Sequence, residues 1–539
     1  MVKHLIRQII SREYPGADFG ILIPPDPNMG DYSVNLAFIV AKKEKKNPED
    51  MARQMADQFS RDTELNKYFE KIEPAGGFIN FFLSESFLHR ELLKIVQEKD
   101  GFGSAKEKNF KINLEFVSAN PTGPLTVANI RAASFGDALG NVLKKAGYQV
   151  TKEYYINDVG VQIRTLGESV AKRYLQLKGK DIDFEENLYQ GEYIIQAAKE
   201  IKESNLIGPD ENFDEVADKC RKYATQKFID SARSSLGDLG VKFDVWFSES
   251  KLHESGEVAA VLSDLKKAGH TKEKDGAIWL VFGGDKEAVL VKSDRSTSYL
   301  MNDIAYTKNK FKRGFDRAIN IWGADHHGDV PRLLAGSEAL GFSPDKLKVL
   351  LHQLVLIKKQ DEFQRMSKRK GEFVLLSDLL KEVGRDAIRF FFMAKDLSTH
   401  MDFDIDLAEE QSKKNPVFYI QYASARLNSI FNKSQESRES GVIKRADAGL
   451  LKEKEELGLM RKMSKFPELI EEVSETYQIH QLAQYAFELA GDFHNFYEKH
   501  RVMHDNKKLE EARLLLCWAV DLVLKNCLGL MGISAVEKM

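Results

Sequence analysis

Apolar residues recur at helical spacing from His4 to Glu13 and from Pro48 to Phe59, and Phe78-Ile79-Asn80-Phe81-Phe82 is a short strand-like run. Together they predict a small α+β unit that closes near Gly101-Phe102-Gly103-Ser104, a linker by its composition. A second strand-like run, Ile112 to Val117, leads into Asn120-Pro121-Thr122-Gly123-Pro124. A helical stripe of Val127, Ile130, Ala138, Val142 and Ala146 follows. Strand, tight loop and helix N-terminus are how nucleotide-binding α/β folds present backbone N–H groups to phosphates. The order repeats at Ala318 to Trp322, then Gly323-Ala324-Asp325-His326-His327-Gly328, then a helix from Arg332 to Leu340. Between the halves, Glu168 to about Asp244 is charged and helical, and reads as an insertion. From Ile405 onward the pattern is almost wholly helical, ending in the apolar stretch Leu514 to Met531.

The expected organisation is therefore an N-terminal α+β domain over 1–105, an α/β Rossmann-like nucleotide-binding catalytic domain over 106–400 with an insertion at about 165–245, and an all-α bundle over 401–539. A chain of 539 residues is too long for one core. With 43% apolar and 30% charged residues it has the balance of a globular protein. No apolar run reaches the roughly 18 residues of a membrane span. The start, Met1-Val2-Lys3-His4-Leu5, lacks the apolar core of a signal peptide, so a cytosolic address and no membrane partner are expected. Cys220, Cys517 and Cys527 are scattered, which argues against a disulfide framework or a cysteine zinc site. A net charge of −3 confines any nucleic-acid binding to local basic patches.

The most informative local string is Gln364-Arg365-Met366-Ser367-Lys368-Arg369-Lys370-Gly371, in a loop after an apolar run. Closely spaced cations suit charge that builds on a departing pyrophosphate. Alone, such a run is more often a solvated basic turn. Following a second α/β half, Met-Ser-Lys-Arg resembles the KMSKS signature of class I aminoacyl-tRNA synthetases. Ser118 to Leu125 resembles the opening of the HIGH region of the arginyl-tRNA synthetase family. Glu153-Tyr154-Tyr155-Ile156-Asn157-Asp158-Val159-Gly160, Asp303-Ile304-Ala305-Tyr306, Gly314-Phe315-Asp316-Arg317, Gly323 to Gly328, Asp402-Phe403-Asp404 and Leu528 to Ile533 match later blocks of that family in order. The resemblance runs from Gly30-Asp31-Tyr32 to the C-terminus.

The resemblance implies an arginine–tRNA ligase. Arginine and ATP give arginyl-adenylate, and the arginyl group then passes to the terminal ribose of tRNA(Arg). Mg²⁺ accompanies the ATP, and neither zinc nor an organic cofactor is expected. The family pattern for L-arginine falls on Asn120, Asn157, Glu249, Tyr299 and Asp303, a set with the carboxylates and amides a planar guanidinium requires. For ATP it falls on Pro121, Ala128, Gly323, Asp325, His326, Met366 and Ser367. Thr126, Asn129 and Lys368 are the expected catalytic residues. The C-terminal helices resemble an anticodon-binding bundle, with Tyr422, Arg426 and Arg501 as candidate tRNA contacts. The N-terminal unit, with Lys42-Lys43-Glu44-Lys45-Lys46, resembles the family's tRNA-elbow module, although that cluster reads equally as a solvated face. His326-His327 lacks a third metal ligand, so no metal site is assigned there. A monomer is expected.

Five positions depart from the family pattern. Where it has His-x-Gly-His, this chain has Thr126-Val127-Ala128-Asn129. Loss of one transition-state donor typically costs about 2.7–4 kcal/mol. Thr126 and Asn129 retain a hydroxyl and an amide donor, and some tryptophanyl synthetases carry a similar Thr-x-Gly-Asn. Arg295 stands where glycine is usual, and strains the turn if φ must be positive there. Asn302 replaces a basic or apolar neighbour of Asp303. An active ligase is the leading expectation. The alternative is a catalytically impaired synthetase-like paralogue that binds tRNA or arginine.

Overall fold

A computed structural model describes residues 2–284, 286–363, 373–434, 441 and 445–538. Met366, Ser367 and Lys368 lie outside the described residues.

The N-terminal unit is an antiparallel sheet of four strands in the order Ile21–Leu22, Tyr32–Val34, Phe78–Leu83, Phe69–Ala75. Helices Val2–Glu13 and Pro48–Phe59 bury their apolar stripes, Ile6, Ile9, Ile10, Met51, Met55 and Phe59, in the same core. Pro48 follows Asn47, whose side chain caps the helix by accepting from the Glu49 N–H. The segment expected as a linker is packed instead. Phe102 is fully buried and stacks on Phe466 of the C-terminal bundle, so this segment adds to the core rather than spacing two bodies.

The catalytic sheet has five parallel strands, ordered Leu347–His352, Arg317–Gly323, Lys111–Glu115, Gln149–Ile156, Val245–Ser248. From Lys111–Glu115 the chain winds outward through Gln149–Ile156. From Arg317–Gly323 it winds the other way. The crevice beyond the C-terminal ends of these two adjacent strands is the topological switch point, where such sheets bind ligands. Strand Lys111–Glu115 stops two residues before Val117, where the sequence pattern carried it. Val117 (φ 68°) and Ser118 (φ 41°) are left-handed. A β-branched residue rarely adopts that conformation, and here it turns the chain sharply into the crevice. The Ser118 hydroxyl pins the turn by donating to Glu115 Oε1 at 3.0 Å.

Helices Val161–Leu177, Glu192–Ser204 and Phe213–Asp238 form their own cluster between the second and third strands in sequence. A separate antiparallel sheet, Thr271–Lys274, Ala277–Phe282 and Lys286–Val291, precedes helix Tyr299–Lys312. The C-terminal helices Pro416–Ser434, Lys454–Ser464, Phe466–Thr476, His480–Lys499 and Lys507–Leu530 share the main core with the N-terminal unit and the back of the catalytic sheet. Arg389, fully buried, ties these parts together. It donates to Asp137 Oδ2 at 2.6 Å and to the Met531 carbonyl at 2.6 Å.

Candidate active site

Thr126 begins a single 3₁₀ turn, Val127–Asn129, that runs into helix Ile130–Lys145. Its N–H donates to Asn129 Oδ1 at 3.1 Å, and its hydroxyl lies 3.4 Å from the same oxygen. Thr126 is 3% exposed, whereas Ala128 is exposed and Asn129 half-buried. Thr126 thus orients Asn129, and the Asn129 NH₂ has no partner among the described residues. Leu125 and Val127 are also stitched to the chain that follows the Met366–Lys368 segment. Val127 N–H donates to Val374 O, and Leu376 N–H to Leu125 O, both at 3.1 Å. Tyr193 of the inserted helices packs against Gly123 and rests 6.1 Å from the Phe373 ring.

Across the crevice, Gly323 ends its strand and caps the turn Ala324–His326. A side chain at Gly323 would meet Asp325 Oδ1 at 2.3 Å, so glycine lets the exposed Asp325 carboxylate fold back there undisplaced. Asp325 and His326 are exposed, and His326 Nδ1 is 3.3 Å from Asp329. Pro121 is buried in the opposite loop, where Asn120 donates to Gln162 Oε1 at 2.7 Å. Asn157, at the end of its strand, makes no side-chain hydrogen bond among the described residues.

The floor beside these loops is acidic. Glu249 is 2% exposed and accepts from Tyr155 Oη at 2.8 Å and from Asn302 Nδ2 at 2.5 Å, while His253 Nε2 lies 3.7 Å away. Burial pushes its carboxyl up to about 7, Asp158 adds to the rise, and the Tyr155 and Asn302 bonds oppose it. Asp303, one residue beyond Asn302, has no hydrogen bond or ion pair among the described residues. Burial, then Glu115 and Glu249, push it well above the usual carboxylate range, against the pull of Lys310. Lys310 is fully buried and spends its charge on Glu115 Oε2 at 2.6 Å and on Asn320 Oδ1 at 2.8 Å. Glu153, next to this cluster, is satisfied differently. Burial raises its carboxyl, but the paired Arg313 bonds at 2.6 and 2.7 Å outweigh that and hold it low.

Tyr299 opens helix Tyr299–Lys312 four residues before Asp303, and is 59% exposed. It therefore stands at the surface and is not part of the buried acidic floor. Asn120, Asn157 and Glu249 follow the C-terminal ends of adjacent parallel strands, and Asp303, in helix Tyr299–Lys312, lies within electrostatic reach of Glu249. The sequence reading missed Tyr155, which sits in a quoted block with no local mark of its partner Glu249, 94 residues away. Among the described residues no group of three or more His, Cys, Asp and Glu side chains is placed to hold a metal ion.

In the C-terminal bundle, Phe418 and Tyr422 stack with ring planes 5° apart. Arg426 lies 4.8 Å from the Tyr422 ring and 4.6 Å from that of Tyr497, with Nη1 donating to His494 Nδ1 at 3.0 Å. The acceptor role of Nδ1 leaves Nε2–H to donate to Tyr419 O at 3.3 Å. Arg501 stands beyond helix His480–Lys499, exposed and outside this stack.

A two-sided parallel sheet with Pro/Gly and Gly-Ala-Asp loops at its switch point, joined to an all-helical bundle, defines a class I aminoacyl-tRNA synthetase. Family models agree over nearly the whole chain: "Arginyl tRNA synthetase N terminal domain" matches residues 1–83, "tRNA synthetases class I (R), catalytic domain" 91–420 and "DALR anticodon binding domain" 420–539. The arginine–tRNA ligase of Desulforamulus reducens is 44% identical, over 96% of this chain and 93% of that protein. That of Ruminiclostridium cellulolyticum is also 44% identical, over 100% and 97%. The arginyl-tRNA synthetase of Thermus thermophilus superposes with a TM-score of 0.80 at 22% identity, covering 100% of this chain and 99% of that one, a likeness of fold. The chain belongs to the arginyl-tRNA synthetase family. Its function is the ATP-dependent ligation of arginine to tRNA. No helix among the described residues is long and apolar enough to cross a membrane.

Proposed function

We propose that arginine is activated in the switch-point crevice, with its guanidinium against Glu249 and Asp303 and its α-amino and carboxylate ends against Asn120 and Asn157. One observation carries this reading. Half-buried Asp303 feels the charges of two buried carboxylates, Glu115 and Glu249. Among the described residues, Lys310 bonds only Glu115 of the three, Glu249 is held by the neutral donors Tyr155 and Asn302, and Asp303 has no partner. An acidic cluster short of cations lowers its free energy by taking up a planar cation with several donors. Tyr299 closes the rim.

ATP enters as its Mg²⁺ complex and lies over Pro121, Ala128, Gly323, Asp325 and His326. The arginine carboxylate attacks the α-phosphorus and pyrophosphate leaves. Asn129 donates its NH₂ to phosphate oxygen in the transition state, and Thr126 holds Asn129 in place. Met366, Ser367 and Lys368 complete the phosphate contacts. The terminal ribose hydroxyl of tRNA(Arg) then takes the arginyl group and AMP departs. Tyr422 and Arg426 form a stacking face for unpaired anticodon bases, and Arg501 flanks it. The working form is a cytoplasmic monomer of three domains, 1–105, 106–400 and 401–539.

Arginine-dependent ATP–pyrophosphate exchange with cognate tRNA present tests the reading. Exchange is expected, and Asp303→Ala is expected to remove its selectivity for arginine. Exchange no higher than background would instead mark a non-catalytic paralogue. Unchanged arginine dependence in Asp303→Ala would overturn the pocket.

A further inference from the structure

Asn302 sits inside helix Tyr299–Lys312 at 6% exposure. An apolar side chain is the ordinary occupant of such a position. The amide there makes one strong bond, Nδ2 to Glu249 Oε1 at 2.5 Å, while its own Oδ1 is buried with no partner among the described residues. A buried acceptor without a donor is a net cost to the fold. The Glu249 bond is what the structure shows in return. Tyr155 from the neighbouring strand holds the other oxygen, so Glu249 is fixed from two sides by uncharged donors.

The neutrality of these donors matters. A lysine or arginine at 302 would occupy Glu249 with a permanent cation, and an apolar residue would leave Oε1 undonated and favour the protonated form. In this chain the uncharged amide both orients the carboxylate and leaves its charge for a ligand, where the family pattern has a basic or apolar residue. We propose that Asn302 is a specificity-positioning residue for arginine, holding Glu249 in the orientation that receives the guanidinium. The proposal rests on the pocket assignment above. Asn302 acts through Glu249 and need not touch arginine, since its free oxygen is sealed from the crevice.

The groups facing Glu249 are Tyr155 and Asp158 on one side, His253 one turn along its own helix, and Asp303 on the helix of Asn302. Removing the amide donor makes the Glu249 charge harder to form, a deficit that alkali repairs. Replacing it by a carboxyl adds a charge that alkali worsens. Pyrophosphate exchange with arginine varied, from pH 6.5 to 9, separates these effects. Asn302→Ala is expected to raise the arginine KM about tenfold at pH 7, with kcat and ATP KM within about twofold and the defect shrinking toward pH 9. The isosteric Asn302→Asp is expected to raise the arginine KM as well, with a defect that grows with pH. It preserves the packing and decides the matter if the alanine variant does not fold. Arginine KM values near the parent's in these variants, or a pH-independent loss of kcat and both KM values together, would overturn the proposal. Glu249→Gln is the control. A normal arginine KM there overturns the pocket itself. A raised KM there, beside normal values in the Asn302 variants, overturns only the role of Asn302.

Discussion

The Asn129 side-chain oxygen accepts from the Thr126 N–H at 3.1 Å, and this bond turns the Asn129 NH₂ away from Thr126. Where the family pattern has two imidazoles, this chain therefore has one outward donor and one residue that aims it. The pair is unequal, and substitutions distinguish its members. Asn129→Asp keeps the capping oxygen and deletes the donor, while placing a negative charge beside phosphate. It is expected to lower the rate of pyrophosphate exchange by about 10²–10³-fold, with the melting temperature little changed. Thr126→Val removes only a hydroxyl 3.4 Å from its acceptor, a weak bond. A fall of a few-fold is expected. Equal losses in the two variants would show that Thr126 meets the phosphates directly.

Arg295 closes the turn after strand Lys286–Val291 with φ 68°, and its N–H donates to Lys292 O at 3.0 Å. The Asp294 carboxylate accepts from the Ser296 N–H at 2.9 Å and from its hydroxyl at 2.6 Å, which locks the bend around it. Left-handed backbone costs an ordinary L-residue about 1–2 kcal/mol, and glycine avoids it at some expense in unfolded-state entropy. Arg295→Gly is expected to stabilise the catalytic unit by about 0.5–1 kcal/mol, read as a higher urea midpoint. ATP KM is expected to stay the same, because the guanidinium is exposed and lies near Glu273. A raised ATP KM would identify Arg295 as a phosphate contact.

These features differ in how far the sequence alone reveals them. Asn120 to Pro124 and Gly323 to Gly328 are legible because glycine and proline interrupt apolar strands where a parallel sheet must turn. The left-handed Arg295 is legible only through the family resemblance, which puts glycine at that position. The partnership of Glu249 with Tyr155 and Asn302 is not. It spans 94 and 53 residues and arises only when the parallel strands align, so no spacing rule announces it. Ala277–Phe282 and Lys286–Val291 carry a hairpin's apolar runs around Gly283-Gly284, yet nothing local says that their sheet stands apart from the catalytic one. Phe102 misleads in the opposite direction. Its glycine neighbours read as a linker, and only tertiary contact with Phe466 makes it core.

If arginine binds in the proposed pocket, the acidic floor makes its binding a proton-linked event. The Glu249 carboxyl lies near 7 against an ordinary 4.5, and Asp303 is raised as well. Between those limits the folded protein keeps protons that the unfolded chain has released. Stability of the ligand-free protein therefore falls as pH rises from about 4.5 toward 7, by about 3 kcal/mol for Glu249 if it titrated alone. The two carboxyls interact, so the steps belong to the pair. A bound guanidinium reverses the preference, because it favours the ionised forms. Arginine affinity is expected to rise from pH 6 to 8, with protons released on binding. Titration calorimetry at pH 6.5 in two buffers of different ionisation enthalpy measures that release directly. A net release approaching one proton or more per arginine is expected, reduced in Glu249→Gln by that group's share. Binding enthalpies that do not depend on the buffer would mean that the carboxylates are already ionised in the empty pocket, and that the cation deficit is met by another group.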